Sequence, residues 1–200
     1  MNNPSDLVCD FVNSYDVESG ADAIPSPAAL AAWLGRRGLI GPADTAGDDD
    51  LAAAVELRES LRAALRRNHA PGHAPDGDPD GAPTGEPGGE PTVAPWPGVP
   101  HSFAGLPLRM TLTTGGPVLE PVHTGVPGGL ARIAAAVLDT RADGTWPRLK
   151  VCTESTCQWA FVDLSKNRSR SWCSMKVCGN RTKTRAYRAR RQPEAGSRHP

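Results

Sequence analysis

Apolar residues recur at helical spacing in three stretches of the chain and alternate with polar ones in a fourth. In residues 51–68, Leu51, Ala54, Leu57, Leu61 and Leu65 fall on one face and the arginines mainly elsewhere, which predicts a core-packed helix. Asp50 is placed to cap it, and the run Asp48 to Asp50 puts favourable negative charge at its start. In "SPAALAAWLGRRG", Ser26 is the expected cap, Pro27 suits the first helical position, and Gly35 or Gly38 ends the helix. "GGLARIAAAVLDTRADG" predicts a third helix over 128–144, with Leu130, Ile133, Ala134, Val137 and Leu138 on its apolar face. "LPLRMTLTT" alternates as a strand does, "GGP" turns the chain, and "VLEPVH" supplies a partner strand. The opening "LVCDFVNSYD" is apolar without a clear period and fits a buried strand or a helix start. Cys9 lies in it with no histidine nearby in sequence, and reads as a small buried thiol.

Composition changes this picture in two places. Residues 70–100 hold nine prolines and seven glycines and scarcely any branched apolar residue. Such a segment buries too little surface to offset its ordering entropy, so a disordered insertion is expected, with Trp96 its one anchoring side chain. His69, His73 and His101, in or beside it, lack ligand-like spacing and read as surface residues, and His123 as a surface or structural one. Charge is the second. Residues 146–200 carry 13 Lys/Arg against three Asp/Glu, a net of +10, and residues 1–145 carry the balancing −10. An asymmetry of this size predicts that the tail meets a polyanion, or folds onto its own acidic body. No stretch resembles a signal peptide or a membrane span, so an intracellular, cytoplasmic protein is expected.

The basic tail also holds four of the five cysteines, as C-x4-C-x15-C-x4-C: Cys152, Cys157, Cys173 and Cys178. In a reducing compartment paired cysteines point to metal rather than to disulfides, and four thiolates close a tetrahedron around one structural zinc ion with no open position for substrate. The reach between the pairs is explained by a hairpin: "QWAFVDLS" alternates as one strand, "SKNRSR" turns, and "SWC" returns as the second. Zinc supplies the folding energy that so few apolar side chains cannot, about 10–16 kcal/mol of apparent binding energy in isolated fingers. Ser174 is placed to cap a helix from Met175, although Gly179 weakens it locally and Asn180 serves as an alternative cap. Met175, Cys178, Thr182, Ala186 and Ala189 form its inner face, Arg181, Arg185 and Arg188 one flank, and Lys183, Tyr187, Arg190 and Arg191 the other; Pro193 ends it. The expected architecture is α+β: a small N-terminal α/β domain over 5–145 with the insertion at 70–100, a treble-clef-like zinc module over 148–191 (knuckle, β-hairpin, basic helix), and a frayed tail at 192–200.

"CSMKVCGNRTKTRAYRAR" and the preceding "FVDLSKNRSRSWC" resemble the CGNR zinc finger, named for the run Cys178, Gly179, Asn180, Arg181. "LVCDFVNSYD", "PAALAAWLGRRGLI" and "ELRESLRAALRRN" are similar to the ABATE domain that precedes this finger. The resemblance implies a bacterial, stress-related transcription regulator with the four cysteines as zinc ligands. Asn180 is then either a contact residue or a group that hydrogen-bonds a thiolate or the loop backbone. The expected partner is duplex DNA, gripped by Asn180, Arg181, Lys183, Arg185, Arg188, Arg190 and Arg191. The N-terminal domain would sense a small-molecule effector or assemble a homodimer. RNA binding or protein docking through Trp159, Phe161, Trp172 and Tyr187 is the alternative, although aromatics beside a zinc site also form its mini-core. No nucleophile motif, paired carboxylates or histidine ligand set supports an enzyme.

Overall fold

A computed structural model describes residues 3–69 and 106–191, without the side chains of 189–191. The readings of the Pro/Gly segment, His73, Trp96, His101, Pro193 and the 192–200 tail lie outside the described residues.

Helix α1 (Pro4–Val12) resolves the ambiguous opening segment. The Asn3 side chain accepts from the Ser5 N–H at 3.0 Å, and a proline occupies the first position, where a missing N–H costs nothing. Helix α2 (Pro27–Arg36) is capped by the Ser26 hydroxyl. Gly38, at φ +67°, turns the chain out of α2 in the left-handed region that glycine tolerates. Helix α3 (Asp48–Arg66) starts two residues before the expected cap. Gly47 takes the cap position, and Asp50 instead reaches back from inside the first turn to accept from the Gly47 N–H at 2.8 Å. Helix α4 (Gly125–Ala142) likewise starts three residues earlier than its glycine pair suggests.

Strands β1 (Leu108–Thr113) and β2 (Gly116–Pro121) pair antiparallel, with Thr113 opposite Gly116 across a two-residue turn. The hairpin overreaches the core, so Met110 and Leu112 are exposed despite their alternation. Leu138 of α4, expected on the apolar face, is also exposed, while Leu130, Ile133, Ala134 and Val137 are buried.

Helix α1 packs against α3 and α4, and α2 closes the group. Phe11, Ile24, Leu30, Leu34, Leu57, Leu61, Leu65, Leu130 and Ile133 fill the interior. The same core continues into the cysteine-rich region. A short 3-10 turn (Trp146–Arg148) leads into β3 (Leu149–Val151), which pairs antiparallel with β4 (Ala160–Val162) and lies against α3, as β4 does against α1. Leu149, Val151 and Ala160 belong to the core of the helices. The zinc module is thus built on the body and not strung beside it.

Buried polar groups fasten this junction. Asn13, at the end of α1, donates from Nδ2 to the Ala160 carbonyl at 2.9 Å and accepts the Ala160 N–H at 2.7 Å, as a neighbouring strand would. Arg62 donates to the carbonyls of Val12, Tyr15 and Gln158 at 2.7–3.1 Å. Arg58 grips both Asp22 oxygens at 2.9 and 3.1 Å. Both arginines are buried, contrary to the expectation that the α3 arginines lie off the core. Carbonyls and a carboxylate from other elements make that possible, since buried charge must be paired or fully hydrogen-bonded. His69 is no stray surface residue either: its Nε2 lies 2.7 Å from the Val151 carbonyl.

Candidate metal centre and basic helix

The four cysteine sulfurs all lie within 4.8 Å of one another. Cys157 and Cys173 are 3.6 Å apart at sulfur, Cys173 and Cys178 3.7 Å. A tetrahedron with Zn–S bonds of about 2.3 Å has S···S edges of about 3.8 Å, so the spacing suits one zinc ion held by four thiolates. All four are free thiols, and all but Cys173 are buried.

The first pair straddles the β3–β4 connection. This differs from the expected hairpin, in which "SWC" returns beside "QWAFVDLS". The partner of β4 is the three-residue strand "LKV" ahead of Cys152, and Ser171 contributes only its carbonyl, to Thr153. Apolar Leu149 and Val151 outcompete "SWC" for the strand position because they bury themselves in the body. The knuckle turns at Gln158, whose φ of +52° is unusual for a side chain with a Cβ. Arg62 holds its carbonyl and Arg66 its side-chain oxygen.

The second pair opens the C-terminal helix. Ser174 accepts from the Val177 N–H and starts a π-helical turn (Met175–Gly179), which runs into α5 (Asn180–Arg191). Ser174 is therefore the cap, and Asn180 begins the α-helical part. A Cβ on Gly179 would stand 2.4 Å from the Met175 sulfur and 3.3 Å from Trp172, so the close turn favours glycine. Phe161, Trp172 and Cys173 surround the buried sulfurs as a small second core. Trp172 Nε1–H is buried with no acceptor among the described residues, a donor beside a centre that would carry net negative charge with zinc bound.

Two carboxylates near the site are buried and charged. Lys150 Nζ donates to Asp163 at 2.8 Å and to the carbonyls of Arg168 and Arg170. Burial pushes the Asp163 carboxyl up, but hydrogen bonds from Lys150, Ser165 and the Arg170 N–H outweigh it and hold the group below the usual carboxylate range. Glu154, inside the knuckle, is buried too. It accepts from Arg185 at 2.9 Å, Thr182 at 2.9 Å and the Thr156 hydroxyl at 3.3 Å. Burial pushes its carboxyl up, but the bonds from Arg185 and Thr182, the Arg185 charge and the Thr156 backbone N–H outweigh it and lower the pKa. Lys150, Asp163, Glu154 and Asn13 did not stand out as site residues in the sequence. One signal was available: Glu154 and Asp163 are the two acidic residues in the otherwise basic stretch 148–191.

The expected polyanion contacts divide. Arg185 is tied to Glu154, and Arg181 to Glu18 of the body at 2.8 Å and to the Thr156 hydroxyl at 3.3 Å. Asn180 donates to the Lys176 carbonyl at 3.0 Å, the backbone alternative among its expected roles. Lys183, Tyr187 and Arg188 are exposed, and the side chains of Arg190 and Arg191 are outside the description. Of the expected inner face only Cys178 and Thr182 turn inward: Met175 is half-exposed, and Ala186 is exposed because α5 outruns the module it leaves. Cys9 is remote from this chemistry. Burial, with Asp6 and Asp10 adding to it, pushes its thiol up to about 12, so it is inert.

Elsewhere in the body, an open cavity of about 660 Å³ lies between the α2–α3 loop, the end of β2 and the start of α4, bordered by Asp44, Arg109, His123 and Arg132. No helix among the described residues is long and apolar enough to cross a membrane.

A helical body whose core continues into a four-cysteine knuckle and a basic helix defines a zinc-finger protein. Residues 148–191 match the CGNR zinc finger, and residues 5–144 match ABATE, described as "Putative stress-induced transcription regulator". The chain belongs to the ABATE family and carries the CGNR finger as its C-terminal part. No curated protein matches it.

Proposed function

We propose that the protein is a transcription regulator that binds duplex DNA through α5, acts by binding rather than catalysis, and works in the cytoplasm at the nucleoid. The observation that carries this reading is the pose of α5. It leaves a zinc-tethered platform with Lys183 and Arg188 exposed, while Arg181 and Arg185 pin its first turns to Glu18 and Glu154. A helix so held is pre-organised, and its free cations release counterions when they meet phosphate. The cavity beside Arg109 and Arg132 is where a small-molecule effector of the body would bind, and homodimer formation would let two such helices engage adjacent sites.

The test is titration of the zinc-loaded protein with duplex DNA at several salt concentrations. Each lost phosphate contact flattens the log–log salt slope by about 0.9, so replacing Lys183 and Arg188 with alanine should flatten it by about 1.8. An unchanged slope would remove α5 as the contact surface. A second reading has one observation in its favour: Trp159 and Tyr187 are 40% and 53% exposed and offer faces for stacking single-stranded bases. Phe161 and Trp172 instead pack against the cysteines. Competition with single-stranded RNA separates the two.

A further inference from the structure

The two acid–arginine contacts that hold α5 differ in kind. Glu154 has a fully buried carboxylate with three side-chain donors, two of them from α5. Losing Arg185 would strand that charge, so this contact is a permanent anchor. Glu18 is different. Its side chain is 46% exposed and Arg181's 34%, and pairs this open to water hold their partners only weakly. The position of Glu18 is nevertheless well defined. Asp16 Oδ1 accepts from the Glu18 and Ser19 N–H groups, and the Ser19 hydroxyl donates to Asp16 Oδ2. The turn closes with a Tyr15–Asp22 bridge, and Asp22 is held by buried Arg58. A rigid turn of the body therefore presents a carboxylate to the first turn of α5. Both terminal nitrogens of Arg181 are taken, one by Glu18 and one by Thr156.

We infer that the Glu18–Arg181 pair is a releasable clasp between body and finger, in which Glu18 occupies the arginine in place of a nucleic-acid phosphate. This rests on the proposed binding role of α5 and adds its regulation. In the clasped state Arg181 has no free fork for phosphate or a base edge, and the finger is held to the α1–α2 turn. Phosphate must displace the Glu18 carboxylate to recruit Arg181, and anything that moves the turn alters how readily it does so. The body thereby acts on DNA affinity without touching DNA.

The experiment is a double-mutant cycle on the full-length, zinc-loaded chain: wild type, Glu18→Gln, Arg181→Gln and the pair, titrated with one duplex at low and moderate salt. Wild-type binding, measured first, reports on the α5 reading itself; its absence overturns that reading and the clasp with it. Given binding, Glu18→Gln should tighten it by about two- to fivefold, the range an exposed ion pair commands. The gain should vanish in the Arg181→Gln background. An equal gain in both backgrounds would show a general effect of removing negative charge and overturn the clasp, as would no gain in either. Zinc content and the thermal midpoint of each variant show that folding is retained. If Arg181→Gln fails to fold, Arg181→Lys takes its place: it keeps the charge but loses the two-pronged contact, and the gain from Glu18→Gln should shrink.

Discussion

Replacing Asn13 with alanine tests whether body and finger share one core. The side chain supplies both hydrogen bonds on the outer edge of β4, to the N–H and the carbonyl of Ala160, a residue only 2% exposed. Removing it strands a buried donor and a buried acceptor, each costing about 1–3 kcal/mol when no substitute reaches it. Asn13 is itself only half-buried, so water recovers part of the loss, and we expect about 2–3 kcal/mol in total. For a protein of this size that lowers the melting temperature by roughly 4–12 °C. The assay is thermal unfolding of the zinc-loaded protein, followed in parallel by zinc transfer to a chromogenic chelator. Ala160 precedes Phe161, which packs beside the sulfurs, so zinc transfer should quicken as well. Asn3→Ala is the control: it removes the α1 cap, costs about 1 kcal/mol and should leave zinc transfer unchanged. A melting temperature within 1 °C of wild type for Asn13→Ala would refute the shared core.

Zinc affinity should rise with pH. Burial, reinforced by neighbouring thiols, pushes Cys178 up to about 12 and raises Cys173 as well, so both are protonated at neutral pH in the metal-free protein and loading must expel their protons. The logarithm of apparent affinity should climb by about two or more per pH unit between pH 6 and 8 in a competition titration; a flat profile would contradict the thiolate site. Asp163 acts lower on the scale. Its depressed pKa stabilises the fold above the ordinary carboxylate range, and that contribution is lost as pH falls through its folded pKa, after zinc has gone. Gly128→Ala should cost about 1–3 kcal/mol in urea unfolding, because the new Cβ would stand 2.3 Å from the His123 carbonyl oxygen, which is backbone. Gly179→Ala should cost less, since the half-exposed Met175 side chain can swing aside and the helix gains propensity; the reverse order would refute this reading of the two glycines.

The cysteine set and the α3 stripe were legible because each is a local pattern: a fixed spacing for a metal, a helical period for a core. The Ser26 and Ser174 caps were legible for the same reason. What escaped depends on partners distant in sequence. Asn13 meets Ala160 across 147 positions and Glu18 meets Arg181 across 163, and nothing local distinguishes either from a solvated polar residue. The burial of Arg58 and Arg62 was hidden likewise, since amphipathicity assigns arginine to the outside unless carbonyls from elsewhere arrive to meet it. Strand β3 was missed because three residues are too few to show a period, and its central Lys150 looks like surface until Asp163 pairs with it.

The central claim is that one zinc ion joins the two cysteine pairs and so fixes α5 to the body. Hydrogen exchange across the whole chain, before and after chelation, with metal content measured on the same sample, tests it most directly. The account predicts one zinc per chain as purified, slow exchange in β3, β4 and the first turns of α5, and loss of that protection with the metal. Metal-free protein in which those segments remain protected would contradict it.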